Sequence, residues 1–482
     1  MAGTEDPVSV RIDGILRGMP SSPFTPSIFR IDDYMNRVNE NMHAPKLVSI
    51  GPLHHGKREL QKMEQHKYRY LKLLLERKNE SSVHKYVTVM RSLQEQARRC
   101  YADPVDLESD SFVEMLLLDS FFIVELTRKY RFPWIRETDD PIFKHDYYIV
   151  ELICDLMLIE NQVPFFVLNH LFHMTKSDDL EDDLIPQIQL LFGERYLWHP
   201  GGDVVRTPVK NVDHLLDLMY KTWCSSFSEM FVGPRNLTGL DIRCATELQE
   251  AGIEFEEGQS GKILDIKFDK GVLKIPSFIV SDGMEPVLRN LILYEHLFND
   301  SAHPQYVTDY AFFLQCLINS PKDVEILRLR GIMTNLLGND MVHQMFRRLG
   351  RNTFVSKVFC YGDVFEKVNI HCGLHRNVLM ANLRRNYFNS PWAYISFGAA
   401  AVLLILTFIQ TMFSGLSYAS ALTISTECSR NWISAATAGW PSGSSTICSD
   451  RSESTRRPRR ISRDLSAHRP STTSISCSST TH

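Results

Sequence analysis

The sequence predicts a mainly α-helical fold (α+β, α-dominated) with a small antiparallel β hairpin or three-stranded sheet, followed by one carboxyl-terminal transmembrane helix. Apolar residues recur at helical spacing through most of the chain. The apolar period changes to two only between residues 245 and 279. One uncharged apolar stretch, at residues 393–413, is long enough to cross a bilayer.

Composition excludes several classes of protein. The chain has 482 residues, of which 44% are hydrophobic and 23% charged, so it is neither disordered nor collagen-like as a whole. The net charge is −4, and the segment after residue 429 holds eight arginines against three acidic residues, so the rest of the chain is acidic. Nucleic-acid binding requires a basic surface, and we therefore predict no nucleic-acid partner.

The amino-terminal part divides into an arm and a domain. Residues 1–30 are polar and rich in proline, with none of the basic and apolar regions of a signal peptide, and we predict a flexible arm. Residues 31–389 form the helical globular domain. Within it, residues 59–76 have one apolar stripe, typical of a surface helix, whereas 112–126 and 147–163 are apolar on nearly every side, which indicates buried central helices.

A β insertion is predicted around residues 250–280. Leu264, Ile266 and Phe268 alternate with charged residues, which is the pattern of a strand with one buried face. Lys270 and Gly271 supply a tight turn to the next strand. We therefore expect a hairpin with a third short strand beside it.

A transmembrane helix is predicted at residues 390–418. Its uncharged core matches a hydrocarbon thickness of about 30 Å, with Trp392 and Tyr418 at its ends as interfacial aromatics. Arg376, Arg384 and Arg385 precede it, and the positive-inside rule places the amino-terminal domain in the cytoplasm. We expect the plasma membrane or an endomembrane. Residues 419–482 are rich in Ser, Thr and Arg and are predicted to be a disordered tail.

Two histidines in the loop 46–56 are the first candidates for catalysis or metal binding. His54 and His55 lie in the run Val-Ser-Ile-Gly-Pro-Leu-His-His-Gly, which cannot be a helix interior. Adjacent loop side chains point in different directions, and no third ligand stands at a characteristic spacing. A structural loop is the alternative interpretation.

Four acidic residues on the apolar helices are the other candidates. Glu151 and Asp155 share one helix face, where like charges repel by about 0.2–0.5 kcal/mol. Together with Asp119 and Glu160 they could perform acid–base chemistry or bind a divalent cation. The alternative is that they accept hydrogen bonds and fix the packing of the helices. No phosphate loop or nucleophile elbow is present, so we assign no catalytic, cofactor-binding or metal-binding residue and identify no small-molecule substrate.

Several ordered segments resemble the large plant family catalogued as domain of unknown function two-four-seven. The loop 46–56 is similar to its opening signature, and 112–119 and 158–166 are similar to its two buried-helix blocks. Further segments extend the resemblance through about residues 31–418. The resemblance implies a plant membrane protein with a helical amino-terminal domain and one carboxyl-terminal span, no established activity and no cofactor. It also implies, for some grass members, a part in pollen-side self-incompatibility.

The predicted function is that of a single-pass membrane protein that recognises another protein, in a setting such as self-incompatibility signalling. Its predicted partners are the lipid bilayer, through residues 390–418, and a protein of unknown identity. The alternative is a membrane-tethered, metal-assisted enzyme that uses the buried carboxylates or His54 and His55. The sequence favours the first, since no motif specifies a reaction.

Overall fold

The computed structural model describes most of the chain in ten segments. They are residues 6–18, 26–32, 42–176, 183–193, 208–228, 242–259, 263–298, 304–350, 358–374 and 391–437. The chain divides into two compact units, Met1–Ala393 and Tyr394–His482.

The first unit is mainly helical, which confirms the predicted fold class. In its amino-terminal half the helices are α1 (Pro7–Gly18), α2 (Gln61–Arg77), α3 (His84–Arg99), α4 (Ser109–Arg131), α5 (Pro141–Lys144), α6 (Asp146–Leu156), α7 (Phe165–Thr175), α8 (Leu184–Gly193) and α9 (Leu215–Ser228). Two short 3₁₀ helices, Arg58–Leu60 and Pro133–Ile135, precede α2 and follow α4. In the carboxyl-terminal half they are α10 (Ala245–Glu250), α11 (Met284–Phe298), α12 (Tyr306–Leu317), α13 (Pro321–Leu329), α14 (Asn339–Leu349) and α15 (Gly362–Gly373).

Helix α4 is the centre of the amino-terminal half. It packs against α2, α3, α7 and α8, and side chains are buried around its whole circumference. The prediction of a buried central helix at 112–126 is therefore confirmed. Helix α2 buries one stripe that contains Met63, Tyr70 and Leu74, as its periodicity predicts.

Helix α6 is shorter than its apolar run predicts. We expected a helix over 147–163, but α6 ends at Leu156. The side chain of Asn161 donates to the carbonyl of Asp155 at 2.9 Å, and that of Gln162 donates to the carbonyls of Leu156 and Leu158 at 2.8 Å each. These amides replace the hydrogen bonds of another helical turn, which ends the helix.

The strands form two small sheets. Strands β1 (Glu254–Gly258), β2 (Lys267–Asp269) and β3 (Val272–Pro276) form a sheet in the order β1-β3-β2. Strands β2 and β3 are antiparallel, and Lys270 and Gly271 between them have φ values of 48° and 87°, as a tight hairpin turn requires. Strand β1 pairs with β3 in parallel, so the sheet is mixed rather than antiparallel. Strands β4 (Phe278–Val280) and β5 (Met333–Asn335) form a second, parallel pair.

The predicted amino-terminal boundary of the domain differs from the structure. In the arm predicted at 1–30, α1 is exposed, but Ile28 is buried and its carbonyl accepts the N–H of Ala102 at 2.9 Å. This backbone pairing joins the end of the arm to the segment after α3. A polar composition therefore did not prevent part of the arm from entering the core.

The second unit contains one long helix, α16 (Pro391–Thr437). Among the described residues it is the one helix whose length and composition suit a membrane crossing, over Ile395–Ser434. It continues past the predicted boundary at 418, because no proline or glycine occurs between Gly415 and Gly439 to end it. Hydroxyls such as that of Thr423 donate to the carbonyl of the preceding turn, which satisfies them within the helix. The disorder predicted for 419–437 is therefore wrong, and the rest of the tail lies outside the described residues.

Candidate functional site

The loop 46–56 lies against the buried helices and is held there by acidic side chains. Asp155 on α6 accepts the backbone N–H groups of Lys46, Leu47 and Val48 at 2.9, 2.7 and 2.8 Å. Burial raises the pKa of this carboxyl to about 6, and the three N–H donors act in the opposite direction. Asp155 is thus engaged in anchoring the backbone of the loop.

Asp119 on α4 anchors the middle of the loop. Its carboxylate accepts the N–H of Gly51 at 2.7 Å and the ammonium of Lys67 at 2.5 Å. Lys67 is fully buried and also donates to the carbonyl of Ser49 and to Glu64, both at 2.6 Å. Burial lowers the pKa of Lys67, but the charges of Asp119 and Glu64 outweigh it and hold that pKa above its usual value. This buried cation therefore joins α2, α4 and the loop.

Asn161 completes the anchoring. Its side-chain oxygen accepts the N–H of Ile50 at 2.7 Å, and its amide donates to the carbonyl of Val48 at 3.0 Å. Gly51 has a φ of 76°, and a Cβ atom there would stand 2.3 Å from the carbonyl oxygen of Gln162. Only glycine fits this contact. The loop is therefore positioned by main-chain bonds at nearly every residue from 46 to 51.

The two histidines of the loop occupy different environments. His54 is buried, and its Nε2 lies 3.0 Å from the carboxylate of Glu160. Glu160 also accepts the N–H of Ile31 at 2.7 Å. Burial raises the pKa of Glu160, but its close contact with His54 and the N–H of Ile31 lower that pKa overall. His55 is exposed on the outer side of the loop. The structure therefore separates the pair.

Two of the four predicted acids, Glu151 and Asp155, line a common cavity. This acidic cleft has a volume of about 470 Å³ and also receives Asp282 and Glu285. Lys46 lies 3.5 Å from Glu151 at one side of the cleft. Asp119 and Glu160 are not among the lining residues. Within the described residues, no three His, Cys, Asp or Glu side chains are grouped so that they could hold a metal.

Glu285 is fixed by two arginines at the edge of the acidic cleft. Its carboxylate accepts from Arg289 at 2.8 Å and from Arg348 at 2.5 Å. Burial raises the pKa of Glu285, whereas the two guanidinium groups lower it and prevail. The bond from Arg348 joins α14 to α11, whereas Arg289 lies on α11 one turn after Glu285.

The outer face of the loop forms one wall of a second cavity, which we call the loop groove. Its volume is about 480 Å³. It is lined by Ser49, His55, Gly56, Lys57, Leu60, Gln61, Glu64, Gln65, Tyr68, Ser111, Glu114, Met115 and Leu118. The loop signature therefore has an inner side that anchors it and an outer side that faces an open cavity.

Sequence reasoning missed Lys67 and Asn161 as determinants of this arrangement. Lys67 stands in the apolar stripe of α2, four residues after Met63 and three before Tyr70. A lysine at a buried helical position signals a buried acidic partner. The polar pair Asn161-Gln162 inside an apolar run was the corresponding signal for the end of α6.

Comparison with known proteins identifies relatives but no structural template. Residues 28–406 match the family DUF247, described as plant protein of unknown function. The chain is similar to UPF0481 protein At3g47200 of Arabidopsis thaliana, with 29% identity over 417 residues that cover 81% of this chain and 86% of the relative. It is also similar to the Arabidopsis thaliana UPF0481 protein At3g02645, with 22% identity over 499 residues that cover 84% and 93%. No solved structure matches the chain.

Proposed function

This chain belongs to DUF247, a family of plant proteins of unknown function, and from that premise we propose that it is a membrane-anchored protein whose helical domain recognises another protein. In this proposal α16 inserts in a plasma or endomembrane and the domain faces the cytoplasm. A setting of this kind is self-incompatibility signalling, which the family resemblance implies for some grass members.

One observation carries the proposal: the loop 46–56 is rigidly anchored on its inner side while its outer side lines an open groove. Asp155, Asp119 and Asn161 bind its backbone from within the domain. A preorganised surface loses little conformational entropy when a partner binds, which favours recognition. The side chains on the outer side, such as His55, contribute nothing to this anchoring and are free to contact a partner.

Crosslinking in native plant membranes tests the proposal. The full chain is crosslinked in situ, solubilised in mild detergent, and compared with a variant that carries His55→Ala in the loop groove. We expect a stoichiometric protein partner with the wild type and a reduced yield with the variant. Asp282→Asn, in the acidic cleft, is the matched control and should retain the partner. A chain that is recovered alone under all conditions would refute the recognition function.

The alternative of a metal-assisted enzyme has one observation in its favour: Glu151, Asp155 and Asp282 line the same acidic cleft, although among the described residues they are not grouped as a metal site. A divalent cation held there would bind carboxylate oxygens. Thermal unfolding with added Mg²⁺, Mn²⁺ or Zn²⁺ distinguishes the two functions. We expect no shift in the midpoint, and a shift that Glu151→Gln abolishes would support the enzyme instead.

A further inference from the structure

The loop groove has three walls from separate parts of the amino-terminal half. The loop supplies Ser49 and His55, helix α2 supplies Glu64 and Tyr68, and the start of α4 supplies Glu114. Its volume of about 480 Å³ lies in the range of small-ligand and side-chain pockets, about 300–1,000 Å³. The groove is therefore large enough for one long side chain and its neighbours.

Hydrogen-bond acceptors in the groove are incompletely used. Ser49 is only 2% exposed, yet its hydroxyl has no hydrogen-bond partner. Glu64 uses Oε1 to bind Lys67, and Glu114 uses Oε1 to accept the hydroxyl of Tyr68 at 2.5 Å. Among the residues that the structure describes, no donor reaches Oε2 of either carboxylate. The buried Ser49 hydroxyl without a partner points to a ligand in the groove, and the partly exposed Glu64 and exposed Glu114 carboxylates are open to the same ligand.

Both carboxylates and Tyr68 line the same groove, and the Tyr68 hydroxyl donates to Glu114. The hydrogen bond to Glu114 raises the pKa of Tyr68 to about 12, and burial and the charge of Glu64 add to that effect. The Tyr68 side chain is half exposed. Its ring is therefore accessible beside two partly free carboxylates.

Resting on the function proposed above, we propose that the loop groove binds an arginine side chain of the partner protein. A guanidinium presents five N–H donors in a planar fork, which suits the free oxygens of Glu64 and Glu114 together with the Ser49 hydroxyl. The same plane stacks on an aromatic face such as that of Tyr68.

The remaining lining residues agree with this ligand. Leu60, Met115 and Leu118 provide apolar surface for the methylene stem of the arginine. Glu64 shares the buried Lys67 with Asp119, and Glu114 is balanced by Lys57, so these five charges leave a small net negative charge that favours a cation. A lysine side chain, with a compact ammonium group and no planar fork, fits the divided acceptors less well.

Peptide binding to the full-length chain in neutral phosphatidylcholine nanodiscs tests the inference. The probes are fluorescein-labelled heptapeptides of sequence Gly-Ser-Leu-Xaa-Leu-Ser-Gly, in which Xaa is arginine, lysine or citrulline. Citrulline keeps the shape of arginine and removes its charge. We expect saturable binding of the arginine peptide in the millimolar range or tighter, weaker binding of the lysine peptide, and a loss of about tenfold to a hundredfold with citrulline.

Three variants locate the binding. Glu114→Gln removes a groove carboxylate that pairs with no buried cation, so it leaves the fold intact, and we expect it to weaken the arginine peptide by about tenfold or more. Tyr68→Phe keeps the ring and should leave binding within about twofold of the wild type. Asp282→Asn, in the acidic cleft, should leave it unchanged.

The outcomes separate this inference from the proposed function. Equal binding of the arginine and citrulline peptides, no saturable binding up to about 10 mM, or indifference to Glu114→Gln would overturn the arginine site. If crosslinking in native membranes yields a partner and the Glu114→Gln variant retains it in full, the proposed recognition function is supported and the arginine site is refuted. If crosslinking yields no partner, the recognition function falls whatever the peptides do.

Discussion

Replacement of Gly51 by alanine tests whether the anchored loop is as closely packed as the structure indicates. Gly51 and Gly56 both lie in this loop signature with nearly equal left-handed φ values of 76° and 77°. An added Cβ at Gly51 would stand 2.3 Å from the carbonyl oxygen of Gln162, whereas at Gly56 it would meet nothing within 4 Å. Gly56→Ala is therefore a matched control that shares the backbone strain and lacks the clash.

The expected costs follow from these two contributions. A left-handed alanine costs about 1–2 kcal/mol, and the reduced entropy of the unfolded chain returns about 0.4–1 kcal/mol, so Gly56→Ala should cost about 1 kcal/mol. In Gly51→Ala the clash separates the chain from Gln162 and disturbs two bonds, Gly51 N–H to Asp119 and the Tyr101 hydroxyl to the Gln162 carbonyl. Each buried group left unsatisfied costs about 1–3 kcal/mol, so two such groups added to the backbone cost give a total of about 3–7 kcal/mol.

Two measurements on the full-length chain in detergent check this prediction. Urea unfolding reports the difference in global stability, and native-state hydrogen exchange reports opening of the loop itself. We expect the amide protons of Val48 and Ile50 to exchange at least about thirtyfold faster in Gly51→Ala than in Gly56→Ala, the equivalent of about 2 kcal/mol. Equal effects of the two substitutions would refute the close approach to Gln162.

Three further predictions concern buried charge. Lys67→Met should cost about 3–5 kcal/mol in urea unfolding, because it leaves Asp119 buried without its cation; adding Asp119→Asn should recover part of the loss, and a cost below about 1 kcal/mol would contradict the ion pair. His214 is fully buried, and burial lowers its pKa to about 4. The same histidine in the unfolded chain has a pKa near 6.5, so only the unfolded state takes up a proton between pH 6.5 and 4. The free energy of unfolding is therefore highest above pH 6.5 and falls by about 3 kcal/mol as the pH drops to 4. His214→Gln should flatten the stability curve over that interval, and an unchanged slope would exclude His214 as its source. The pKa of Glu285 is lowered in the folded protein, so its ion pair with Arg348 stabilises the protein fully when the pH is above the pKa of the unfolded carboxyl. That stabilisation is lost as the pH falls through the pKa of the folded carboxyl. Glu285→Gln should thus destabilise the protein at pH 7, and by progressively less as the pH falls below the unfolded carboxyl's pKa of about 4.3 through the lower folded pKa, as thermal unfolding across that pH range would show.

Much of the local structure follows from short-range pattern. The alternation around residues 264–275 predicts the hairpin, and Lys270-Gly271 predicts its turn. Ser320 followed by Pro321 predicts the start of α13, where the Ser320 side chain accepts the N–H of Asp323. Each of these features depends on residues within a few positions of one another.

Features that depend on distant residues were not predictable in the same way. Strand β1 pairs in parallel with β3, the second strand of the hairpin, rather than with its neighbour in sequence, β2. Alternation of apolar and polar residues does not specify which strand is the partner. The end of α6 depends on Asn161 and Gln162 folding back onto its last carbonyls. An apolar period continues through these residues, so the pattern extends the helix too far.

The candidate site shows the same division between local pattern and long-range contact. Periodicity places Asp119, Asp155 and Glu160 in apolar segments, and adjacency predicts that His54 and His55 diverge. Neither can specify that Asp119 and Asp155 accept backbone N–H groups of a loop 68 and 107 residues away in the chain, or that Glu160 accepts the N–H of Ile31.

Composition and residue spacing therefore determine which segments form helices or strands, and they also determine the length of an apolar helix suited to a bilayer. The role of each buried charged side chain depends on which partner the fold brings within hydrogen-bond distance. A charge in a low-dielectric interior needs hydrogen bonds or an opposite charge beside it, and its neighbours in sequence alone do not supply them. In this fold, Asp119 and Asp155 of the predicted acid cluster therefore anchor the loop 46–56 through its backbone, and the outer face of the loop stays open.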